Sequence, residues 1–354
     1  MKTTAPIVAV VARESSVVES LSQNVAQGLG SHGFNVSTCR DGDPALLKSD
    51  IVLVLGSVGS MRRTVSLLER NPNPRRIVVM WVFEPLPARF MSKARIRLAS
   101  HLSPVQTGKA WTKPVLHLLT RPLDYVLHLP YRDIVSARMF RFLVDTFAML
   151  DRGQRKGWLN HVVTSTEEKR LYLESHGISA QFLPVGQQPF FGKDMQMPRD
   201  IDVLFIGSLK SKRRRRELDQ LRSRLAAYGL KTHIPDGPVW GEARAELVNR
   251  TKVLLHIHNF EWDTPWMRWN LAAANGAAVA SQPLSVPYPM RPGIDYLSAP
   301  AEDLAAAIRN LVQDETRCQQ MVRTCQATIS EHMTAARSIA LLAQKFETLL
   351  QQRG

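Results

Sequence analysis

Residues 202–208 read DVLFIGS and run directly into Leu-Lys-Ser-Lys and four consecutive arginines, Arg213 to Arg216. Val203, Leu204, Phe205 and Ile206 form an apolar run suited to a strand buried on both faces. Gly207 permits a tight turn at the carboxyl end of that strand, which is where open α/β sheets bind ligands. Leu218, Leu221 and Leu225 then recur at helical spacing. A helix that starts beside the arginines adds the partial positive charge of its amino end to theirs. This order of strand, glycine turn, cationic loop and helix is that of a phosphate site in an α/β fold. Taken alone, the same run also reads as a solvated basic helix start.

The rest of the chain repeats that alternation. Apolar strand-like runs occupy 7–12, 34–38, 51–55 and 77–83, and a helical pattern covers 17–29. Beyond Ala88 the pattern blurs into a basic, proline-punctuated stretch with short apolar runs at 115–119 and 125–129. A strand at 162–165, a helix at 167–175 and a strand at 181–184 follow. After these, strands at 202–206, 231–234, 253–257 and 277–281 alternate with helices at 216–228, 242–250, 266–275 and 303–312. The tail from 315 to 352 reads as almost wholly helical. Strands that alternate with helices imply mainly parallel sheets. With 354 residues the chain exceeds one ordinary core, so two open α/β domains with a cleft between them form the simplest architecture. The segment PVGQQPFFGKDMQMPR (184–199), with three prolines, two glycines and no periodicity, suits a connection. The boundaries are then 1–186 for the first domain, 187–200 for a linker, 201–330 for the second domain, and 331–354 for a terminal helix packing back on the first.

The net charge of +15 calls for an anionic partner: nucleotide phosphate, nucleic acid or an acidic membrane surface. Between Arg89 and Arg141 ten Lys and Arg stand against Asp124 and Asp133, so that stretch alone carries +8. No apolar run reaches the roughly 18 residues of a membrane span. The start MKTTAPIVAVVARESS reads as a buried strand rather than a signal peptide. Cys39, Cys318 and Cys325 are scattered without metal-ligand spacing and fit a reducing compartment. The expected location is therefore cytoplasmic, with peripheral attachment at the inner face of a membrane through basic segments.

A second constellation lies at LHIHNFEWDTPWMRWNLAAANG (255–276). It joins a strand, a polar aromatic loop and a helix whose Ala272, Ala273, Ala274 and Gly276 allow close packing on a sheet. His256 and His258 share a strand face; metal ligation is open to them, and so are burial and hydrogen bonding within the site. Phe260, Trp262, Trp266 and Trp269 suit stacking on a sugar or base, or core packing. Glu84 ends the strand 77–83 inside Phe-Glu-Pro-Leu-Pro, where two prolines hold a carboxylate in place. That position suits a general base, and equally an acid bonded to nearby amides.

Together FIGSLKSKRRRR (205–216), Trp240-Gly241, the 255–276 segment and AVAS (278–281) resemble the donor-binding domain of GT-B glycosyltransferases, in the group-1/family-4 class and its spore-coat-type branch. MWVFEPLP (80–87), VVTSTEEKRLYLESHGI (162–178) and FLPVG (182–186) resemble the acceptor domain and the usual crossover. The resemblance implies an α/β fold of two Rossmann-like domains facing across a cleft, and a metal-independent transfer of sugar from a nucleotide-sugar co-substrate, with no other cofactor. Gly207, Ser208, Lys212, Arg213, Arg214 and Arg268 would hold the donor phosphates. His258, Asn259, Asn270 and Ser281 would lie near its nucleoside or sugar, with Asp263 and Glu84 as catalytic acids. The family's two glutamates ahead of the glycine fall at Asp263, shortened, and at Leu271, lost; a leucine accepts no hydrogen bond from a ribose diol. Either other groups such as Asn270 or Ser281 hold the ribose, or the donor site has degenerated. Gln282 also replaces an acid that often follows the last small strand.

Three functions stay in competition. The first is a glycosyltransferase acting on a glycan of the cell envelope, a lipid-linked acceptor or a protein. The second is a non-catalytic GT-B-like binding or scaffold protein. The third is a nucleic-acid-binding protein, which the charge permits but no helix-turn-helix, zinc-finger or RNP pattern supports.

Overall fold

The computed structural model describes residues 5–12, 16–56, 61–102, 126–132, 135–209, 211–258 and 264–353. The chain divides into two compact units, Met1–Pro184 with Ser338–Gly354, and Val185–Arg337.

In the first unit, β1 (Ile7–Ala12), β2 (Asn35–Arg40), β3 (Ile51–Leu55), β4 (Ile77–Val82), β5 (His161–Thr164) and β6 (Ala180–Phe182) form a parallel sheet in the order β2-β1-β3-β4-β5-β6. Every residue of β3 (IVLVL) and β4 (IVVMWV) is buried. A parallel strand covered on both faces has no solvent side, so its sequence becomes one apolar run. The edge strand β2 (NVSTCR) is largely exposed and mixes polar residues accordingly. Helices α1 (Ser16–Ser31), α2 (Arg62–Arg70), α3 (Lys93–Leu102), α4 (Ala137–Arg155) and α5 (Glu167–Glu174) accompany the sheet.

Helix α4 lies inside the stretch where the sequence pattern blurs. Its signal is present: Phe140, Leu143, Val144, Phe147 and Leu150 form one buried stripe, and the Ser136 hydroxyl caps the helix by accepting from the Met139 N–H. Its basic and proline-rich surroundings hide it. The apolar run 115–119 lies outside the described residues.

In the second unit, β7 (Ile201–Leu204), β8 (Thr232–His233), β9 (Thr251–His256), β10 (Ala278–Ser281) and β11 (Leu297–Ser298) make a parallel sheet ordered β11-β10-β9-β7-β8. The intervening helices are α6 (Lys212–Ala227), α7 (Gly241–Asn249), α8 (Trp266–Ala274), α9 (Leu304–Gln313) and α10 (Glu315–His332). Apolar cores lie on both faces, one built on Phe205, Leu218, Leu225 and Ile308, the other on Leu204, Leu254, Trp269 and Tyr296. The strand order reverses between β7 and β9, and such a reversal opens a crevice at the carboxyl ends of the two strands.

The segment expected as a linker, 187–200, packs into this unit. Phe191 is buried in its core, and Asn275 Nδ2 donates to the Phe191 carbonyl at 2.7 Å. Arg199 donates to the Asn275 carbonyl at 2.9 Å, so the irregular sequence is held by side chains rather than by a ladder. The helical tail is two helices: α10 ends at His332, the Thr334 hydroxyl accepts from the Arg337 N–H at 3.2 Å, and α11 (Ala335–Gln351) begins. From Ser338 onward the chain belongs to the first unit again, where Phe346 meets the Phe34 ring edge-on at 5.8 Å. A Cβ at Gly28 would stand 2.7 Å from Ile339 Cδ1, so the bare glycine lets the two helices touch. No described helix is long and apolar enough to cross a membrane.

Candidate functional site

Helix α6 starts at Lys212, four residues before the apolar periodicity suggests, because Ser211 accepts from the Arg214 N–H and closes the first turn there. The arginines are thus helical rather than part of a loop, and successive side chains diverge by about 100° around the axis. Lys212 is exposed in the first turn. Arg213 turns to one side, where it pairs with Glu217 at 2.9 Å and donates to the His258 carbonyl at 3.0 Å. Arg214 turns inward and is buried, with its guanidinium 5.0 Å over the Phe205 ring and Nη1 donating to the Ser208 carbonyl at 3.2 Å. Arg215 is exposed and donates to the Leu209 carbonyl at 2.9 Å.

Arg268, in the first turn of α8, completes the turn after β7. Its Nη2 donates to the Ile206 carbonyl at 2.8 Å. A Cβ at Gly207 would meet Arg268 Nη2 at 2.8 Å, Phe205 Cζ at 3.1 Å and Arg214 Nη1 at 3.4 Å. Two guanidinium groups therefore crowd the Gly207 backbone, and the amino ends of α6 and α8 add their dipoles to the same edge. Of the expected phosphate ligands, the structure brings Gly207, Ser208, Arg214 and Arg268 together, and directs Arg213 to Glu217 and His258.

A cavity of about 720 Å³ opens at this edge. Its walls come from the β7 end (Phe205 to Leu209), from Arg215, from the loop 234–240 after β8, from Arg244 in α7, and from Met267, Arg268 and Leu271 in α8. Most of the lining is apolar; Arg215, Arg244 and Arg268 supply cations, and Asp236 is the one carboxylate among the described lining residues. Trp240 is 61% exposed, and the buried guanidinium of Arg244 backs its ring at 5.5 Å. Arg244 is itself tied to the Phe190 carbonyl at 2.8 Å. Burial lowers the Arg244 pKa from its ordinary value.

His258 lies two residues past β9, buried, with its backbone N–H on the Gln282 side chain at 3.2 Å. Burial, then the charge of Arg213, with Arg214 and Arg268 adding, pushes its pKa down to about 4, against an opposing interaction of the imidazole with the Gln282 backbone. The imidazole is neutral at neutral pH. Its ring lies 5.2 Å from that of His256, and no group of three or more metal-ligating side chains occurs among the described residues.

Asn270 and Ser281, expected near the nucleoside, are fully buried and do not line the cavity. Asn270 Nδ2 donates to the Trp266 carbonyl at 2.8 Å, and Ser281 Oγ to the Gln282 carbonyl at 2.7 Å. Trp269 is core, 5.7 Å from the Tyr296 ring. Asn259, Phe260, Trp262 and Asp263 lie outside the described residues. Arg215, Asp236 and Arg244 were not singled out from the sequence. The turn signal Pro235-Asp236-Gly237-Pro238 marks a loop there, but only the adjacency of β8 to β7 brings that loop into the cavity wall.

Glu84 belongs to the first unit, two residues past β4. It is half-buried, and its Oε2 is shielded from solvent with no hydrogen-bond partner among the described residues. The preceding carbonyl, of Phe83, accepts from Lys169 Nζ at 2.7 Å, and the same ammonium donates to Ser165 Oγ at 3.1 Å.

Residues 207–344 match the family described as glycosyl transferase-like. Among solved structures, Anabaena Alr3699/HepE in complex with UDP aligns over 97% of this chain and 100% of its own, with TM-score 0.59 and 9% identity. TarM aligns over 85% of this chain and 54% of its own, with TM-score 0.53 and 10% identity. A UDP-glucosyltransferase from Polygonum tinctorium capable of glucosylating indoxyl, in complex with 3,4-dichloroaniline, aligns over 98% of this chain and 100% of its own, with TM-score 0.50 and 12% identity. No curated protein matches the chain. At such identities the structural likeness establishes the fold, and it is the two-domain GT-B fold across nearly the whole chain.

Proposed function

We propose that this chain, a glycosyltransferase of the GT-B fold, binds a nucleotide-sugar donor at the β7 edge and transfers the sugar without a metal ion. The observation that carries the reading is the pair of guanidinium groups, Arg214 and Arg268, around Gly207 at the strand-order reversal. When the bond from the anomeric carbon to the β-phosphate oxygen breaks, the leaving nucleoside diphosphate gains negative charge. Fixed cations and helix amino ends already in place stabilise that charge without rearranging, which lowers the barrier. That HepE is solved with UDP and that the Polygonum enzyme is a UDP-glucosyltransferase both support a nucleoside diphosphate as the carrier.

On the acceptor side, a hydroxyl oxygen forms the new bond to the anomeric carbon and must lose its proton. Glu84 is our base for an inverting transfer, because its Oε2 has no partner among the described residues to satisfy it. A retaining transfer uses the leaving phosphate as base, so the anomeric configuration of the product decides Glu84's role. The surplus of +8 between residues 89 and 141 supports an acceptor at an acidic surface: a cell-envelope or lipid-linked glycan at the inner face of a membrane, with a protein acceptor as the alternative.

One observation favours a second reading, binding without transfer. Leu271 stands in the cavity wall where the family resemblance implies the ribose-holding acid. Incubating the full chain with nucleotide sugars in the presence of a chelator tests both. Saturable binding of the nucleoside diphosphate with release of sugar supports the enzyme, binding with no turnover on any acceptor or water supports the second reading, and absence of binding removes both.

A further inference from the structure

The register of the second sheet places Asp236 beside the phosphate turn. Leu204 pairs with His233 across β7 and β8. Both strands end at that pair; Gly207 lies three residues beyond Leu204, Asp236 lies three residues beyond His233, and both line the same cavity. Neighbouring parallel strands lie about 4.8 Å apart. In dinucleotide-binding sheets a glycine turn after the first strand takes the phosphate and an acid at the end of the second takes the ribose hydroxyls. Here β7 and β8 are those first and second strands of the unit.

Three further observations agree. Asp236 is the one carboxylate among the described residues of the cavity wall, it is exposed there, and it makes no hydrogen bond or ion pair with a described residue. Its loop is stiffened by Pro235 and Pro238. The same loop ends at Trp240, whose ring has one face on Arg244 and is 61% exposed, a platform on which a base can stack. Leu271, across the cavity, offers a ribose only apolar surface.

We propose that Asp236 is the ribose acceptor of this site, its carboxylate taking hydrogen bonds from the 2′- and 3′-hydroxyls of the donor nucleotide. The assignment rests on the nucleotide-sugar reading above. It makes Leu271 part of a relocated ribose site rather than the mark of a lost one. A hydrogen bond to a charged group contributes about 1.5–3 kcal/mol, or about 10- to 100-fold in affinity, and the exposure of Asp236 favours the lower end.

Calorimetric titration of the full chain with UDP, GDP and ADP, each beside its 2′,3′-dideoxy counterpart, which lacks both hydroxyls, tests this. For whichever base binds tightest, the ribonucleotide should bind about tenfold more tightly than the dideoxynucleotide. In Asp236→Ala the preference should fall to within about twofold, with the dideoxynucleotide affinity unchanged as the sign of an intact site. Equal binding of both sugars by the unaltered chain, or an undiminished preference in Asp236→Ala, overturns the assignment while leaving the donor reading standing. If none of the nucleotides binds the unaltered chain, the donor reading falls and the assignment with it.

Discussion

The two units share a strand order and differ at the edge where ligands bind. Counted within each unit, the first five strands run 2-1-3-4-5 in both. The carboxyl edge of the second unit gathers Arg214, Arg215 and Arg268 around a glycine turn. That of the first carries Glu84 after β4, with two prolines and a carboxylate oxygen that has no described partner. The same backbone plan thus presents cations in one place, suited to a departing diphosphate, and an acid in the other, suited to a departing proton. Topology fixes where a site can form, and the residues at the strand ends decide its chemistry.

The largest test of that contrast is at the acid. Glu84→Gln keeps the shape and removes the basic oxygen, so kcat should fall about 10²- to 10⁴-fold while nucleoside diphosphate affinity stays unchanged. A kcat within about threefold of the unaltered chain would break the division of roles.

The next effect is on stability and compares one histidine from each unit. His161 is pushed down to about 4 by burial first and by Lys345 second, as His258 is by burial and Arg213. Unfolded, both return to about 6.5. Between about pH 6.5 and 4 the unfolded chain therefore binds more protons, so each imidazole contributes stability that is present above about 6.5 and lost as the pH falls towards 4, up to about 3 kcal/mol apiece. Histidine NMR titration should find both near pH 4. A bound nucleoside diphosphate, by offsetting the field of Arg213, Arg214 and Arg268, should raise His258 and leave His161 where it is. Parallel movement of both would contradict a phosphate site confined to the second unit.

The smallest expected effect separates neighbouring arginines. Arg213 is committed to Glu217 in a partly exposed i,i+4 pair, so Arg213→Ala should change stability by less than about 1 kcal/mol and nucleotide affinity by less than about threefold. A larger loss of affinity would mean that Arg213 leaves Glu217 for the ligand.

The buried strands were legible because two-sided burial writes itself as apolar runs: Ile51–Leu55 and Ile77–Val82 are such runs. The starts of helices were less so. Leu218, Leu221 and Leu225 mark the buried stripe of α6, but its first turn is wholly polar, so periodicity placed the arginines in a loop when Ser211 had already capped the helix. Side-chain direction was also hidden: Asn270 lies on the inward face of α8, and nothing in its neighbours' hydropathy distinguishes that from the cavity face. The roles of Asp236 and Trp240 depend on β8 lying against β7, a tertiary fact that no local pattern records.

The most direct test of the account is the affinity of Arg268→Ala for a nucleoside diphosphate, measured by calorimetry against the unaltered chain at one salt concentration. Arg268 reaches the Gly207 turn from the first turn of a helix and donates to the Ile206 carbonyl, so its removal should lower the melting temperature modestly, and a thermal melt checks that the fold survives. Losing a charge-assisted contact to phosphate should weaken binding about 10- to 100-fold. Undiminished affinity in a stably folded Arg268→Ala would show that the diphosphate binds elsewhere.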